Sequence, residues 1–231
     1  MRRRLRIRKY TYIPIGINLR DFDPLAKGHP DLFKSKYSLH DSFIVTYSGG
    51  VWYPGGVDMQ GLHKVVEAAA LASRRVGRMK LILQTLRINP ELLRLCKELN
   101  VKVLMMGPLS HYSSMERQSL FAATDVFLAP NSRHPVVYYA ERIKFFQYMA
   151  AAKAIVAEKT PGALSALGDA AYYVQLDEPE AMADAIVELY ENAELRGQLG
   201  ERARERVARE FDWNVLAPKF REFVFKMAGV S

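Results

Sequence analysis

Between residues 141 and 157 the apolar positions change period. Ile143, Phe146, Met149 and Ala150 recur at helical spacing, which predicts an amphipathic helix over residues 141–152. Residues 154–157 form a continuous apolar run with β-branched Ile155 and Val156, the pattern of a strand buried on both faces. Thr160, Pro161 and Gly162 then mark a turn. The same exchange recurs along the chain. Strand patterns fall at 10–13, 43–47, 80–83, 101–106, 125–130 and 170–174. Helical patterns fall at 31–36, from Leu62 through Val65, Val66 and Ala69, at 90–99, 115–123 and 162–167, at 179–190 and at 195–210. A last helix starts at Asp212, a natural N-cap, and carries Phe220, Phe223 and Val224.

Strand and helix thus alternate about six times, which predicts an α/β fold: a doubly wound, Rossmann-like parallel sheet with right-handed crossovers. Ligands of such sheets bind beyond the carboxyl ends of the strands. The turns after Tyr47, Leu83, Met106 and Ala129, and the helix start near residue 141, all fall on that edge. The expected division is a linker and first strand over residues 1–24, a Rossmann-like domain over 25–210 and a C-terminal helix over 211–231.

Composition narrows the function classes. With 231 residues, 49% hydrophobic and 25% charged, the chain has the make-up of an ordinary globular protein. Its single cysteine, Cys96, excludes an internal disulfide framework and is compatible with the expected cytoplasmic location. The net charge of +8 suits nucleic acid, an anionic membrane surface or phosphorylated ligands. Zinc spacings, a basic recognition helix and an RNP-like strand are lacking, so nucleic acid is not an expected partner. Arg2, Arg3, Arg4, Arg6 and Arg8 form the densest basic cluster, read as a solvated strand edge or as a peripheral contact with anionic lipid or another domain. The five histidines do not pair with Cys or Glu at metal spacing, and neither a metal nor a cofactor is expected.

Two stretches on the functional edge carry candidate chemistry. Ser48-Gly49-Gly50 follows a core strand and precedes a long helix, an arrangement that brings backbone N–H groups to a phosphate. It is neither G-x-G-x-x-G nor a P-loop, so a dinucleotide oxidoreductase ranks last. The helix near residue 141 begins with two cations, Arg142 and Lys144, where the helix dipole favours anions. Such a start costs little if exposed and is useful if an anion binds there.

The run ERIKFFQYMA followed by AAKAIVA resembles the donor-binding helix of family 4 (group 1) retaining glycosyltransferases of the GT-B fold. One branch of that family carries Ser-Pro-Leu-Lys-Leu-Phe-Glu-Tyr-Met-Ala and then Ala-Gly-Lys-Pro-Val-Val-Ala. Lys144, Phe146, Tyr148, Met149, Ala150, Ala151 and Lys153 stand where that pattern puts them. Weaker similarities cover most of the chain: YIPIGINLRDFDP, Gly49 with the trio Gly56-Val57-Asp58, the run from Asp125 to Pro130, and Phe211-Asp212-Trp213. The resemblance implies the C-terminal, nucleotide-sugar-binding half of such an enzyme, with the acceptor-binding half in another domain or partner chain. Residues 141–152 then hold the donor diphosphate, and Gly49, Gly50, Arg142, Ile143, Lys144 and Gln147 are the donor-binding candidates. The chain departs from the pattern in five places, one of them Gln84-Thr85-Leu86 where the family commonly has Gly-Asp-Gly. Gly50 and Gly55 replace an arginine and a lysine, and Tyr139 and Gln147 replace two glutamates seven residues apart. Glu141 is the carboxylate nearest the first of these and the catalytic candidate, or else a favourable charge at a helix start. The departures leave a second reading open, a non-catalytic relative kept as a binding or assembly subunit. In either case the C-terminal helix is expected to be partly unburied, offering Phe220, Phe223 and Phe225 to a partner.

Overall fold

The computed structural model describes residues 10–51, 58–86, 90–107 and 114–229. The basic cluster at Arg2–Arg8, the Gly55-Gly56-Val57 segment and His111 lie outside the described residues. Six parallel strands run in the order β3-β2-β1-β4-β5-β6: β1 Phe43–Gly49, β2 Met79–Thr85, β3 Val103–Met106, β4 Val126–Ala129, β5 Ala154–Glu158 and β6 Tyr172–Val174. The helices are α1 Pro24–Lys27, α2 Pro30–Tyr37, α3 Leu62–Ser73, α4 Pro90–Glu98, α5 Met115–Ala123, α6 Pro135–Tyr138, α7 Ile143–Ala150, α8 Pro161–Leu167, α9 Pro179–Glu191, α10 Ala193–Arg206 and α11 Trp213–Ala228.

Both faces of the sheet are covered, which explains the continuous apolar strand runs. Alternate residues go to opposite cores. Phe43, Val45 and Tyr47 of β1, with Val156 of β5, pack under α3, α4 and α9, where Val65, Leu92 and Ile186 lie. Ile44 and Ile155 pack on the other face with Phe121, Phe146, Ala163 and Ala203. The strand order reverses between β1 and β4, and those two strands are in register only at Val45↔Val126 and Thr46↔Phe127. Beyond that point β1 stays paired to β2 as far as Gly49↔Thr85. The sheet therefore opens a crevice at its switch point, on the carboxyl edge where ligands of such folds bind.

Several expectations are corrected. Residues 10–13 belong to no strand; the backbone of the N-terminal segment meets the fold at the bridge Ile17↔Asp212, and Tyr10 and Tyr12 are exposed. The helix expected over 141–152 is shorter, because Arg142 has extended backbone and Ala152 turns to φ +52. That helix is buried on all sides, from Lys144 to Ala150, since the sheet covers one face and α10 with the following turn covers the other, Phe146 meeting Phe211 at 4.9 Å. Its exception is Ile143, expected on the core face and found 47% exposed. The helix expected over 195–210 ends as an α-helix at Arg206 and continues as a π-helical turn, Val207–Phe211. The short helices α1 and α6 were not legible, each spanning a single turn behind a proline.

Candidate active site

The crevice between β1 and β4 is a cleft of about 430 Å³. Its floor is the end of β1. The Tyr148 hydroxyl, from α7, accepts from the Ser48 N–H and donates to the Ser48 carbonyl, both at 2.9 Å, so one side chain satisfies both backbone groups where the ladder to β4 has stopped. Tyr148 stacks on Phe127 with ring centroids 4.2 Å apart, and burial raises its hydroxyl pKa. Gly49 follows. A Cβ there would lie 2.9 Å from the Tyr47 hydroxyl and 3.1 Å from Lys144 Nζ, so a larger residue would displace those groups. Gly50 has open space around its Cα and keeps the Tyr47 hydroxyl by its carbonyl, at 2.9 Å.

The wall is the start of α7. Its N-cap residue, Arg142, makes no side-chain capping bond, and the guanidinium turns inward instead. NH1 donates to Gln60 Oε1 at 2.7 Å, NH2 donates to the Pro130 carbonyl, and Nε is buried with no hydrogen-bond acceptor among the described residues. Lys144 Nζ donates to the Tyr47 hydroxyl at 2.8 Å and to the same Gln60 oxygen at 3.0 Å, and sits 4.2 Å from the centre of the Tyr47 ring. Both cations are nearly closed off, Arg142 at 9% and Lys144 at 5% exposure. Among the described residues neither forms an ion pair with a carboxylate. Burial lowers the Lys144 pKa well below its ordinary value, and the neighbouring Arg142 charge lowers it further. Burial likewise lowers that of Arg142.

Gln147 lies one turn deeper, and its Oε1 accepts from Arg117 NH2 at 3.1 Å. The same guanidinium is 3.4 Å from Ser48 Oγ, which donates to Gln84 Oε1 at 2.6 Å. Glu141 lines the rim, with both carboxylate oxygens engaged: one accepts from the Tyr12 hydroxyl, the other from Ser165 Oγ at 2.5 Å. Burial first, and then that carboxylate, push the Tyr12 hydroxyl up to about 12. Tyr139 stands apart on the surface, packed edge-on against Tyr138 at 5.0 Å.

All seven residues singled out in the sequence, Gly49, Gly50, Glu141, Arg142, Ile143, Lys144 and Gln147, line this one cleft. Sequence reasoning missed Ile15, Gln60, Gln84, Leu86 and Arg117, which also line it, and Tyr47 beneath it. Gln60 had a detectable signal, since it lies just ahead of a helix start on the functional edge. Arg117 had none, being the lone cation of its helix and one of 33 Lys and Arg in the chain. Among the described residues no three His, Cys, Asp or Glu side chains gather as a metal site, and no helix is long and apolar enough to cross a membrane.

Comparison with known proteins agrees with this geometry. The family described as Glycosyl transferases group 1 matches residues 43–192. No curated protein sequence matches the chain. Sucrose-phosphate synthase from Thermosynechococcus elongatus superposes with a TM-score of 0.72 at 20% identity, over 100% of this chain and 56% of that one. HepE from Anabaena, in a complex with UDP, does so at 0.72 and 17% identity, over 94% of this chain and 57% of that one. The C-terminal domain of a glycosyl transferase group 1 family protein from Francisella tularensis matches at 0.67 and 17%, over 85% of this chain and 99% of that domain. The chain thus spans just over half the length of the first two, and its fold is one half of a GT-B glycosyltransferase. With the family pattern extending from β1 to the end of α9 and the crevice lying at the switch point of a GT-B half, the chain belongs to the group 1 glycosyltransferases.

Proposed function

We propose that the cleft binds the diphosphate of a nucleotide sugar and that the chain is the donor-binding half of a retaining hexosyltransferase. One observation carries this reading: two buried cations, Arg142 and Lys144, line the cleft from the start of a helix, and among the described residues their hydrogen bonds go to neutral oxygens. A buried charge without a counter-charge is expensive, and a bound anion offsets that cost. A nucleotide sugar leaves as a diphosphate, so negative charge grows there in the transition state. Donors fixed in advance around it lower the barrier more than they tighten ground-state binding. Ile143 and Gly49 shape the entrance, and Gln147, its oxygen turned to Arg117, would offer its amide N–H to a ribose oxygen. The acceptor is bound by another domain or partner chain, in the cytoplasm or peripherally at a membrane.

Calorimetry with uridine, guanosine and adenosine diphosphates against the free nucleosides tests the reading. A diphosphate should bind and raise the melting temperature, and its nucleoside should do far less. Lys144→Met should weaken binding by about 1.5–3 kcal/mol, the scale of a hydrogen bond to a charged group. No binding by the folded chain at millimolar concentration would favour the second reading, a non-catalytic binding or assembly subunit. That reading draws on Tyr139 and Gln147, which stand where the resemblance puts two glutamates.

A further inference from the structure

A third buried cation stands at the same edge and is treated differently. Lys64 Nζ, in α3, donates to both oxygens of Glu158 at 2.7 Å, to Asp177 Oδ1 at 2.9 Å and to the Asn131 carbonyl at 2.7 Å. Arg133 closes on the other oxygen of Asp177 at 2.9 Å, so two cations face two carboxylates and the cluster is neutral within itself. It therefore attracts no anion, and it needs another explanation.

That explanation lies in what Glu158 does besides pairing with Lys64. Its Oε2 accepts from the backbone N–H of Asn131, and its Oε1 from that of Asp177 at 2.8 Å. Asn131 is fully buried, and its side-chain amide donates to Thr160 Oγ1 at 2.9 Å. The N–H of Asn131 and the carbonyl of Pro130 belong to one planar peptide group. That carbonyl is the one that accepts from Arg142 NH2. A single peptide thus joins the Glu158 carboxylate to the Arg142 guanidinium. A carboxylate on its N–H end fixes its plane and strengthens its carbonyl as an acceptor.

We propose that Glu158 and Lys64 are positioning residues for the cleft: through the Pro130–Asn131 peptide they set the direction in which Arg142 presents its remaining N–H groups. The inference rests on the diphosphate reading of the cleft. Lys64 holds Glu158 in place and takes the Asn131 carbonyl, so that residue is gripped at its N–H, its carbonyl and its side chain.

The test is UDP titration by calorimetry of Glu158→Gln and of the double variant Lys64→Met/Glu158→Met, each made in the wild-type and in the Arg142→Ala background. The double variant removes both buried charges at once, so neither is left without its counter-charge, and it is expected to fold where the single variant does not. Both variants should bind UDP about tenfold more weakly, and neither should weaken it further once Arg142 is absent. A purely structural role would cost the same in both backgrounds, and that result would overturn the proposal. So would wild-type affinity in the double variant. If wild-type protein fails to bind UDP, the diphosphate reading falls and this inference with it. If Arg142→Ala weakens binding but Glu158→Gln leaves it at wild-type strength, this inference falls alone.

Discussion

At the scale of single residues, Lys144 sets function against stability. Its pKa in the folded chain is lowered well below its ordinary value, by burial first and by Arg142 second. The unfolded chain then holds more protons than the folded one wherever the pH lies between the two values. Across that window the Lys144 contribution to stability rises with pH, and at pH below the folded value its full cost is present. Lys144→Met should therefore be more stable than wild type in neutral solution, with a flatter rise in stability toward alkaline pH, while losing diphosphate affinity. Urea unfolding between neutral and alkaline pH measures this; a destabilised variant with an unchanged slope would contradict it. Glu141 poses a different question, because Tyr12 and Ser165 already occupy its carboxylate. If it acts on the sugar once an acceptor half is supplied, Glu141→Gln should abolish transfer and leave UDP affinity unchanged. If it is only a tie between the N-terminal segment and α8, the substitution should lower the melting temperature and leave the rate of transfer per folded molecule intact.

Elements show why short-range signals were reliable for some parts of the site and not for others. Strand and helix periods located β1 and α7, and with them Gly49, Lys144 and Gln147. They could not show that α7 begins at Ile143, because that boundary depends on Arg142 turning inward to Pro130 and Gln60, both distant in sequence. The start of α8 is fixed in a similar way. Thr160 caps it by accepting from the Ala163 N–H, Pro161 opens it, and Gly162 lies against the segment leading into Arg142. A Cβ at Gly162 would fall 2.2 Å from the Ala140 carbonyl oxygen and 2.9 Å from the Ala140 nitrogen. Both are backbone atoms, so the Ala140–Arg142 segment must shift. Gly162→Ala is expected to cost roughly 1–3 kcal/mol of stability and to weaken UDP binding although residue 162 lies outside the cleft. Chemical denaturation and calorimetry on the same sample check both halves of this expectation.

On the scale of the whole molecule, α11 is only loosely joined to the core. Leu216 is the buried residue of α11, while Phe220 at 51% and Phe225 at 47% stand exposed with Val224 and Met227. Phe223, expected to join them, is half-buried. Contiguous apolar surface of this kind drives association. The chain is expected to self-associate as its concentration rises, and Phe220→Ser with Phe225→Ser should restore a monomer in sedimentation experiments. Neither side chain contributes to the core, so the melting temperature should hardly change. An unaltered sedimentation profile would show that this face is not what drives association.

The sequence by itself determined the alternation of buried strands and helices, hence the doubly wound sheet and the edge on which ligands bind. Those features follow from local periodicity and from the handedness of crossovers. It also determined the cations and glycines at the candidate site, because they lie on two short stretches next to recognisable strand and helix ends. Tertiary structure decided how they are used. It alone brought Gln60 to Arg142 and Lys144, Arg117 to Gln147, and Glu158 to the peptide that holds Arg142. The partners in these contacts are separated by 27 to 84 residues. No local pattern encodes such pairings; they arise where the strand order reverses and the helices on either side of the crevice are brought face to face. Burial was decided there as well. Two cations at the start of a helix would be solvated on an isolated helix, and the sheet edge closing over them makes them costly when empty and suited to an anion.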